Sequence, residues 1–366
     1  MGGFGLTALL IVVAVCAVVL LAGLVYQWRG QAQDRRRFPP PGSLVDIGGA
    51  RLHATVAGRI SKTGTPPVIF EAGIAATSLS WTLVEPEVAK FTQTVTYDRA
   101  GLGWSDAGSG CDVWQLLENL RALLDRLEIA KPRVLVAHSF GGLIATAYAA
   151  RYPDELAGVV LVDPVGAEEW ASPSALNART LRRAIVLSRF GAGLARLGVV
   201  RFALNRLARG ARATPKLIAR ATSGRRGQAF TERLVGQVRK LPRDVWPMIQ
   251  FHWADPKCFR AMRGHLAALP QSAAAVLEKT SREEKIETPL LVLSAADSSD
   301  AQREAQQRLV DRAAHARLAV VENTGHWIML DRPDAVVAAI QEITAIRRAL
   351  VNPSSRRADP STDAGH

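Results

Sequence analysis

Cysteine is scarce in this chain of 366 residues, which contains only Cys16, Cys111 and Cys258. Three thiols are too few for a disulfide framework, and Cys16 lies inside an apolar run. The other two are therefore expected to be reduced thiols or small buried side chains. Stability must come from a hydrophobic core instead, and the 48% of residues that are apolar exclude a disordered chain.

Motifs for metals and nucleotides are also missing. The seven histidines are scattered without an H-x-x-x-H pair, and no C-x-x-C occurs, so we expect neither a metal nor a cofactor. The glycines of residues 97–106 lack the spacing of a P-loop or a dinucleotide fingerprint. We interpret that segment as structural, with Asp98 and Arg99 predicted to pair and brace neighbouring loops.

Acidic residues are few compared with basic ones, 33 against 46, and the formal net charge is +13. The excess is concentrated in residues 171–265, where 17 arginines and three lysines face three acidic residues. Such a surface is typical of contact with nucleic acid or anionic lipid, although an arginine-rich solvated face explains it equally well. Nucleic acid is the less expected partner, because no recognised nucleic-acid module is present.

Charge is absent from residues 6–26, an unbroken apolar stretch long enough for a membrane-spanning helix, which needs roughly 20 residues. Trp28 and then Arg29, Arg35, Arg36 and Arg37 follow it, as at the end of a membrane anchor. A cleaved signal peptide is the alternative, but the first five residues carry no basic side chain and no A-x-A site follows. The arginines after the span predict a single-pass membrane protein with a cytoplasmic C-terminal domain.

The rest of the chain predicts one α/β domain with an insertion. Residues 1–28 are assigned to the anchor and residues 29–41 to a basic, proline-containing linker. Strand-like and helical segments alternate over residues 42–168 and 287–350, which predicts a mostly parallel sheet with helices on both faces. Residues 169–286 are rich in Ala, Leu and Arg and predict a helical lid. The polar residues 351–366 predict a disordered tail.

The sharpest local pattern is VLVAHSFGG at residues 134–142, a strand that runs into a small-x-Ser-x-Gly turn and then a helix. Such a turn lifts the Ser139 hydroxyl out of the sheet and leaves the Phe140 N–H at a helix start, as a nucleophile requires. An ordinary strand–loop–helix turn is the alternative. A second N–H donor for an oxyanion hole is predicted at Ile74, because Gly73 permits close backbone approach after a strand.

A base and an acid are expected after later strands. His326 lies between the last predicted strand and the last helix, and an imidazole can take and return a proton near neutral pH. Asp297, just past a strand end, is the preferred acid that orients it, with Asp163 and Asp300 as rivals. Gly73, Trp81 and His138 are the predicted substrate-binding residues.

Together these segments resemble the α/β-hydrolase superfamily in its lidded, esterase- and lipase-like form. The resemblance covers residues 46–163 and 289–350 but not the lid, and two details depart from the family pattern. Glu71-Ala72 precede Gly73 where many members have His-Gly, and Ala137 stands where the serine turn often has Gly. The resemblance implies an eight-stranded sheet with the triad Ser139, Asp297 and His326, in the chain order of that family.

The resemblance also narrows the expected chemistry. Dehalogenases and epoxide hydrolases of the superfamily carry Asp at this turn, so serine points to an acyl-enzyme and to carboxylic ester hydrolysis. The expected partners are a small-molecule or lipid ester and a membrane, contacted by the anchor and by the basic lid. The alternatives are an acyltransferase, a peptidase or amidase with the same triad, or a non-catalytic binding protein on this fold.

Overall fold

The computed structural model describes residues 2–61, 64–108, 110–208, 240–280 and 286–351. The strands are β1 Ser43–Asp46, β2 Arg51–Ala57, β3 Val68–Glu71, β4 Thr94–Tyr97, β5 Arg133–His138, β6 Leu156–Val162, β7 Leu290–Ala295 and β8 Ala316–Val321. The helices are α1 Gly2–Arg37, α2 Glu85–Val88, α3 Val113–Arg126, α4 Gly141–Arg151, α5 Ala167–Ala171, α6 Ala175–Arg196, α7 Val199–Ala208, α8 Trp246–Trp253, α9 Pro256–Thr280, α10 Asp300–Asp311, α11 Ile328–Asp331 and α12 Pro333–Val351. Two 3₁₀ turns lie at Ser78–Trp81 and Pro153–Glu155.

The strands form one eight-stranded sheet in the order β1-β2-β4-β3-β5-β6-β7-β8. β2 is antiparallel to both of its neighbours, and every other pairing is parallel. The predicted mostly parallel sheet is therefore confirmed. Parallel strands bring their carboxyl ends to one edge, so the segments after β5, β6, β7 and β8 meet there.

Helices cover both faces of the sheet, which explains why its central strands are apolar at consecutive positions. On β5, Leu135 packs on the side of α3 and α4, while Val134 and Val136 pack on the side of α12. α3 begins at Asp112, whose side chain accepts hydrogen bonds from the amides of Trp114 and Gln115, both at 3.1 Å. A leucine face on α3 then packs on the sheet.

The helices α5 to α9, which lie between β6 and β7 in the chain, form a cap over the carboxyl edge of the sheet. α9 packs along α6 and α5 and also contacts α4, and its Ser272 Oγ accepts a hydrogen bond of 3.1 Å from the Val113 amide. Where the structure describes the predicted lid, residues 169–286, most of it is helical: it contains the end of α5 and helices α6, α7, α8 and α9, joined by short turns. Residues 209–239 and 281–285 of the lid lie outside the described residues, as do residues 352–366 of the predicted tail.

α1 extends further than the sequence predicts, because it continues to Arg37 through most of the predicted linker, residues 29–41. Its first part is apolar and exposed, and it is long and apolar enough to cross a membrane. Its last turns instead contact the cap: Gln27 donates to the Ala254 carbonyl at 2.8 Å, and Asp34 pairs with Arg201. These polar contacts stabilise helix beyond the apolar span, which composition alone could not predict.

The predicted pairing of Asp98 with Arg99 is wrong. Asp98 is fully buried and accepts from His53 Nδ1 at 2.9 Å, from the Ser78 amide at 2.8 Å and from the Trp104 amide at 3.1 Å. Adjacent residues leaving a strand point to opposite sides, so Arg99 faces other partners. Burial opposes ionisation of Asp98, but the His53 hydrogen bond and charge and the Ser78 amide outweigh it and lower its pKa to about 2.

This carboxylate should make stability depend on acid. Unfolded Asp98 would protonate near its usual pKa of about 3.9, whereas the folded group stays ionised down to about pH 2. Its stabilisation is therefore complete above about pH 4 and is lost as pH falls toward 2, by about 2 kcal/mol. We expect the free energy of unfolding to fall less steeply over that interval in Asp98→Asn. Parallel curves for wild type and variant would contradict the assignment, and the exposed Asp311→Asn is the control.

Candidate active site

Ser139 lies at the sharp turn between β5 and α4. Its backbone has φ of +53°, which a non-glycine residue adopts only under local strain, and its amide donates to the Val162 carbonyl at 3.1 Å. The turn is crowded, because a Cβ on Gly141 would lie 2.8 Å from the Ala72 carbonyl oxygen. A glycine is therefore required where the helix starts. The structure therefore has the predicted strand–turn–helix geometry at Ser139.

His326 reaches this serine from the loop after β8. Its Nε2 lies 3.0 Å from Ser139 Oγ, and its Nδ1 lies 2.6 Å from Asp163 Oδ2. The His326 carbonyl oxygen lies 2.9 Å from His138 Nε2, and the Gly325 amide donates to Asp331 at 2.9 Å. The loop is thus held at both the histidine and the residue before it. Ser139, His326 and Asp163 form one continuous chain of hydrogen bonds.

The expectation that Asp297 contacts His326 is corrected by this geometry, since Asp163 occupies that place. In the sheet β6 adjoins β5, whereas β7 lies one strand further away. A carboxylate after β6 is therefore nearer to Ser139 and to the imidazole bound to it. Asp297 is exposed beside Gly325, and Asp300 is exposed at the start of α10.

Asp163 is surrounded by hydrogen-bond donors that the sequence reasoning missed. Ser298 Oγ donates at 2.9 Å, Gln306 Nε2 at 3.0 Å and Gln302 Nε2 at 3.2 Å to each carboxylate oxygen. Burial opposes ionisation of Asp163, but the hydrogen bonds and charge of His326 and the donors Gln306 and Ser298 lower its pKa to about 2. The four-residue spacing of Gln302 and Gln306 places their two amides on one face of a helix, and this spacing could have indicated a shared hydrogen-bond partner.

Ile74 and Phe140, the predicted oxyanion donors, both adjoin Ser139. Phe140 follows the serine at the start of α4, and Ile74 lines the same cavity as Ser139. Arg99 donates to the Ala72 carbonyl at 2.6 Å and to the Gly73 carbonyl. Because C=O and N–H of a trans peptide point in opposite directions, holding the Gly73 carbonyl on Arg99 turns the Ile74 N–H away from Arg99. Among the described residues, neither amide has a hydrogen-bond acceptor.

Arg99 is itself held by a buried acidic group. It forms an ion pair with Glu71, which also accepts from the Tyr97 hydroxyl, and all three side chains are buried. Burial raises the pKa of Glu71, while the Arg99 charge and the Tyr97 hydroxyl oppose that rise. Glu71, which departs from the family pattern at this loop, therefore serves as the anchor for the arginine that fixes the loop.

Removing Arg99 should damage both stability and catalysis. In Arg99→Met, the buried Glu71 loses its cation, which typically costs about 3–5 kcal/mol. The freed loop should also misplace the Ile74 N–H and lower kcat by about 10²-fold. Adding Glu71→Gln to Arg99→Met should restore part of the thermal stability but not kcat. Recovery of kcat together with stability would show that Arg99 has only a structural role.

Of the three predicted substrate-binding residues, Gly73 and His138 line the cavity at Ser139 and Trp81 does not. Gly73 lies against the site, because a Cβ there would be 2.8 Å from His138 Nδ1 and 3.4 Å from Ser139 Cβ. His138 is buried and lines the cavity, and burial lowers its pKa to about 3, so it is neutral and supports the His326 loop. The prediction that Trp81 binds substrate is wrong, because Trp81 is fully buried and packs on Phe70 with ring centroids 5.0 Å apart. The 3₁₀ turn directs it into the core.

A cavity of about 430 Å³ opens above Ser139. Its apolar walls include Ile74, Val165, Trp170 and Trp327, and its polar groups include Glu169 and Gln302. Trp170 and Glu169 come from α5 at the start of the cap, and no sequence pattern predicted that they line this cavity. The Ser139 hydroxyl, the His326 imidazole and Ile74 thus adjoin a mostly apolar space that is large enough for a small organic molecule.

Comparisons with known proteins agree with the fold of this chain. A family model described as the alpha/beta hydrolase family matches residues 68–339. The chain is 40% identical over 91 residues to 2-hydroxymuconate semialdehyde hydrolase from Pseudomonas sp. (strain CF600), which covers 24% of this chain and 31% of that protein. Seven other curated relatives are likewise matched over less than half of their lengths.

Two solved structures show the same fold over most of the chain. The epoxide hydrolase CorEH has a TM-score of 0.60 and 18% identity, with 82% of this chain and 96% of that chain covered. A thermophilic esterase from Thermogutta terrifontis has a TM-score of 0.55 and 21% identity, with 81% and 94% covered. At such identities the likeness shows the fold alone.

Proposed function

Because the chain belongs to the alpha/beta hydrolase family, we propose that it is a serine hydrolase that cleaves carboxylic esters through an acyl-enzyme. The observation that most supports this proposal is the pair of hydrogen-bond contacts that links Ser139 Oγ to His326, at 3.0 Å, and His326 to Asp163, at 2.6 Å. The catalytic triad of the proposal is therefore Ser139, Asp163 and His326, in place of the expected triad with Asp297.

The geometry supports a defined protonation state before reaction. Asp163 is ionised because its pKa is about 2, so the proton in the 2.6 Å contact belongs on His326 Nδ1. His326 Nε2 is then the acceptor for the Ser139 hydroxyl. This tautomer is the one that a general base needs, because a free lone pair must face the nucleophile.

Acylation follows from these positions. Ser139 Oγ attacks the ester carbonyl carbon while its proton passes to His326 Nε2, and Asp163 stabilises the imidazolium that results. The carbonyl oxygen becomes an oxyanion that the N–H groups of Ile74 and Phe140 would stabilise. His326 then gives the proton to the departing alcohol as the C–O bond breaks. Water, deprotonated by the same imidazole, attacks the acyl-enzyme and releases the acid and Ser139.

The cavity favours a neutral, amphiphilic ester. The two tryptophans, Trp170 and Trp327, and the aliphatic Ile74 and Val165 suit an apolar acyl chain. The Glu169 carboxylate lies on the same wall, which disfavours a substrate with a negative charge at that end. α1 would act as a single-pass anchor, with the arginines after the apolar span on the cytoplasmic side, and would keep the enzyme at a membrane.

The test is to measure turnover of matched carboxylic esters, amides, epoxides and haloalkanes by the full chain in detergent micelles. Labelling by a fluorophosphonate probe, which reacts with activated serines, is followed in parallel. We expect stoichiometric labelling and ester turnover, with a preference that changes with acyl length. Turnover of epoxides or haloalkanes without turnover of esters would contradict the proposal.

A further inference from the structure

The cap exposes large apolar side chains on two consecutive helices. Leu176, Leu187, Phe190 and Leu194 on α6 and Val199 and Phe202 on α7 are between 45% and 65% exposed. Soluble surfaces rarely leave so many large apolar side chains in sequence without a partner. The surface formed by these six residues, here called the apolar cap face, therefore needs an occupant.

α6 carries three distinct faces when its residues are placed about 100° apart around the axis. Leu181, Ser188 and Ala195 are buried and recur every seven residues on the face toward the domain. Leu187, Phe190 and Leu194 fall on a second, exposed face, which also carries the exposed Arg183.

The third face of α6 is basic. Arg182, Arg189 and Arg196 are exposed and also recur every seven residues, on the side opposite the exposed apolar residues. A helix with an exposed apolar stripe on one face and arginines on its polar face is typical of helices that lie in the interface of a membrane with anionic lipids.

The apolar cap face is continuous with the contact between the cap and α1. A Cβ on Gly23 would lie 2.5 Å from the Leu197 carbonyl oxygen, and Asn205 Nδ2 donates to the Tyr26 hydroxyl at 3.1 Å. Arg201 Nε donates to Gln27 at 3.0 Å. The corner between α6 and α7 is thus fixed to the second half of α1.

The length of the apolar part of α1 sets the position of this corner along the bilayer normal. A helix rises about 1.5 Å per residue, so roughly 20 residues cross the hydrocarbon layer. If the apolar, exposed residues that start at Leu6 cross it, the layer ends near Tyr26, the level at which α1 contacts the cap. The α6–α7 corner would therefore lie at the boundary between lipid tails and headgroups.

We propose that the apolar cap face inserts into the headgroup region of an anionic bilayer, with Arg182, Arg189 and Arg196 contacting lipid phosphates. The inference rests on the proposed anchor function of α1 but not on the proposed ester chemistry. Beside Leu176, Asn177 Nδ2 donates to Glu169 at 2.8 Å, and Glu169 lines the cavity. Leu176, at one end of the apolar cap face, therefore adjoins a residue that bonds to the cavity wall, and substrate would enter the cavity from the leaflet at this end.

The test measures the depth of single nitroxide labels in the full chain, reconstituted in phosphatidylcholine vesicles with and without phosphatidylserine. Labels are placed by Phe190→Cys and Phe202→Cys, with Ile60→Cys as the matched control, in a chain with Cys16→Ser and Cys111→Ser. Ile60 is 74% exposed and follows β2 at the opposite edge of the sheet from the cap. We expect oxygen to relax the labels at residues 190 and 202 more than a water-soluble nickel complex does, and the reverse at residue 60.

Two outcomes would overturn the proposal. One is nickel accessibility at residues 190 and 202 equal to that at residue 60. The other is an unchanged label depth at residue 190 when Arg182, Arg189 and Arg196 are all replaced by glutamine in vesicles with phosphatidylserine. Neither readout needs turnover, so a chain that hydrolyses no ester still gives a clear result, and loss of ester turnover alone leaves the depth result standing.

Discussion

Replacing Ser139 with alanine is expected to abolish fluorophosphonate labelling and to lower kcat for ester hydrolysis on the order of 10⁶-fold. Ser139 supplies the nucleophile, and no other hydroxyl lies within hydrogen-bond distance of His326 in the described structure. Alanine also fits the strained turn at least as well as serine, so the fold should remain intact. The measurement is single-turnover labelling and steady-state kinetics on the best ester of the panel.

A matched control separates loss of the nucleophile from general damage. Ser80 is also buried, and its hydroxyl donates only to the Thr77 carbonyl at 2.7 Å, in the 3₁₀ turn. Ser80→Ala should lose no more than about 1 kcal/mol of stability and should label like the wild type. Labelling that persists in Ser139→Ala would remove Ser139 as the nucleophile and the ester proposal with it.

Replacing Asp163 with asparagine is expected to lower kcat about 10⁴-fold, whereas Asp297→Asn should leave it near the wild-type value. An amide at position 163 cannot accept the Nδ1–H of His326 as the carboxylate does, and it favours the wrong imidazole tautomer. Asp297 provides the control at the site that the family resemblance favoured. Both variants should be measured at saturating ester, with thermal unfolding recorded beside kcat.

The opposite ranking would relocate the acid to the loop after β7. Equal losses in both variants would mean that Asp163 and Asp297 act on His326 jointly. Either result contradicts a triad based on Asp163 alone. The donors around Asp163 offer a further check, since Gln306→Leu removes one hydrogen bond of 3.0 Å and should weaken catalysis much less than Asp163→Asn.

Local sequence was enough to predict two of the three residues of the proposed triad. Ser139 stands in a dense strand–turn–helix pattern, and in the structure it lies at such a turn with a positive φ. His326 follows the last strand, and the sheet brings it to the serine at 3.0 Å. Both predictions depend on contacts within a few residues and on the rule that parallel strands end at one edge. The mostly parallel eight-stranded sheet follows from the same alternating pattern.

Where several residues compete for one partner, the sequence left the outcome open. Asp163 and Asp297 both end buried strands, and only the order of β6 and β7 in the sheet decides that Asp163 meets His326. Arg99 and Asp98 are adjacent in sequence, yet their pairing is with Glu71 and His53, which come from other strands.

The same division applies to the tryptophans and to the basic segment. Trp81 and Trp170 look alike in sequence, but one is enclosed in the core and the other lines the cavity. The sequence by itself determined that this chain has an apolar N-terminal segment, a strongly positive insertion and a serine in a small-x-Ser-x-Gly pattern. The tertiary structure decided which acid faces the histidine and which cap residues remain exposed beside that helix. Such choices depend on distances between segments far apart in the chain, and local propensity carries no information about those distances.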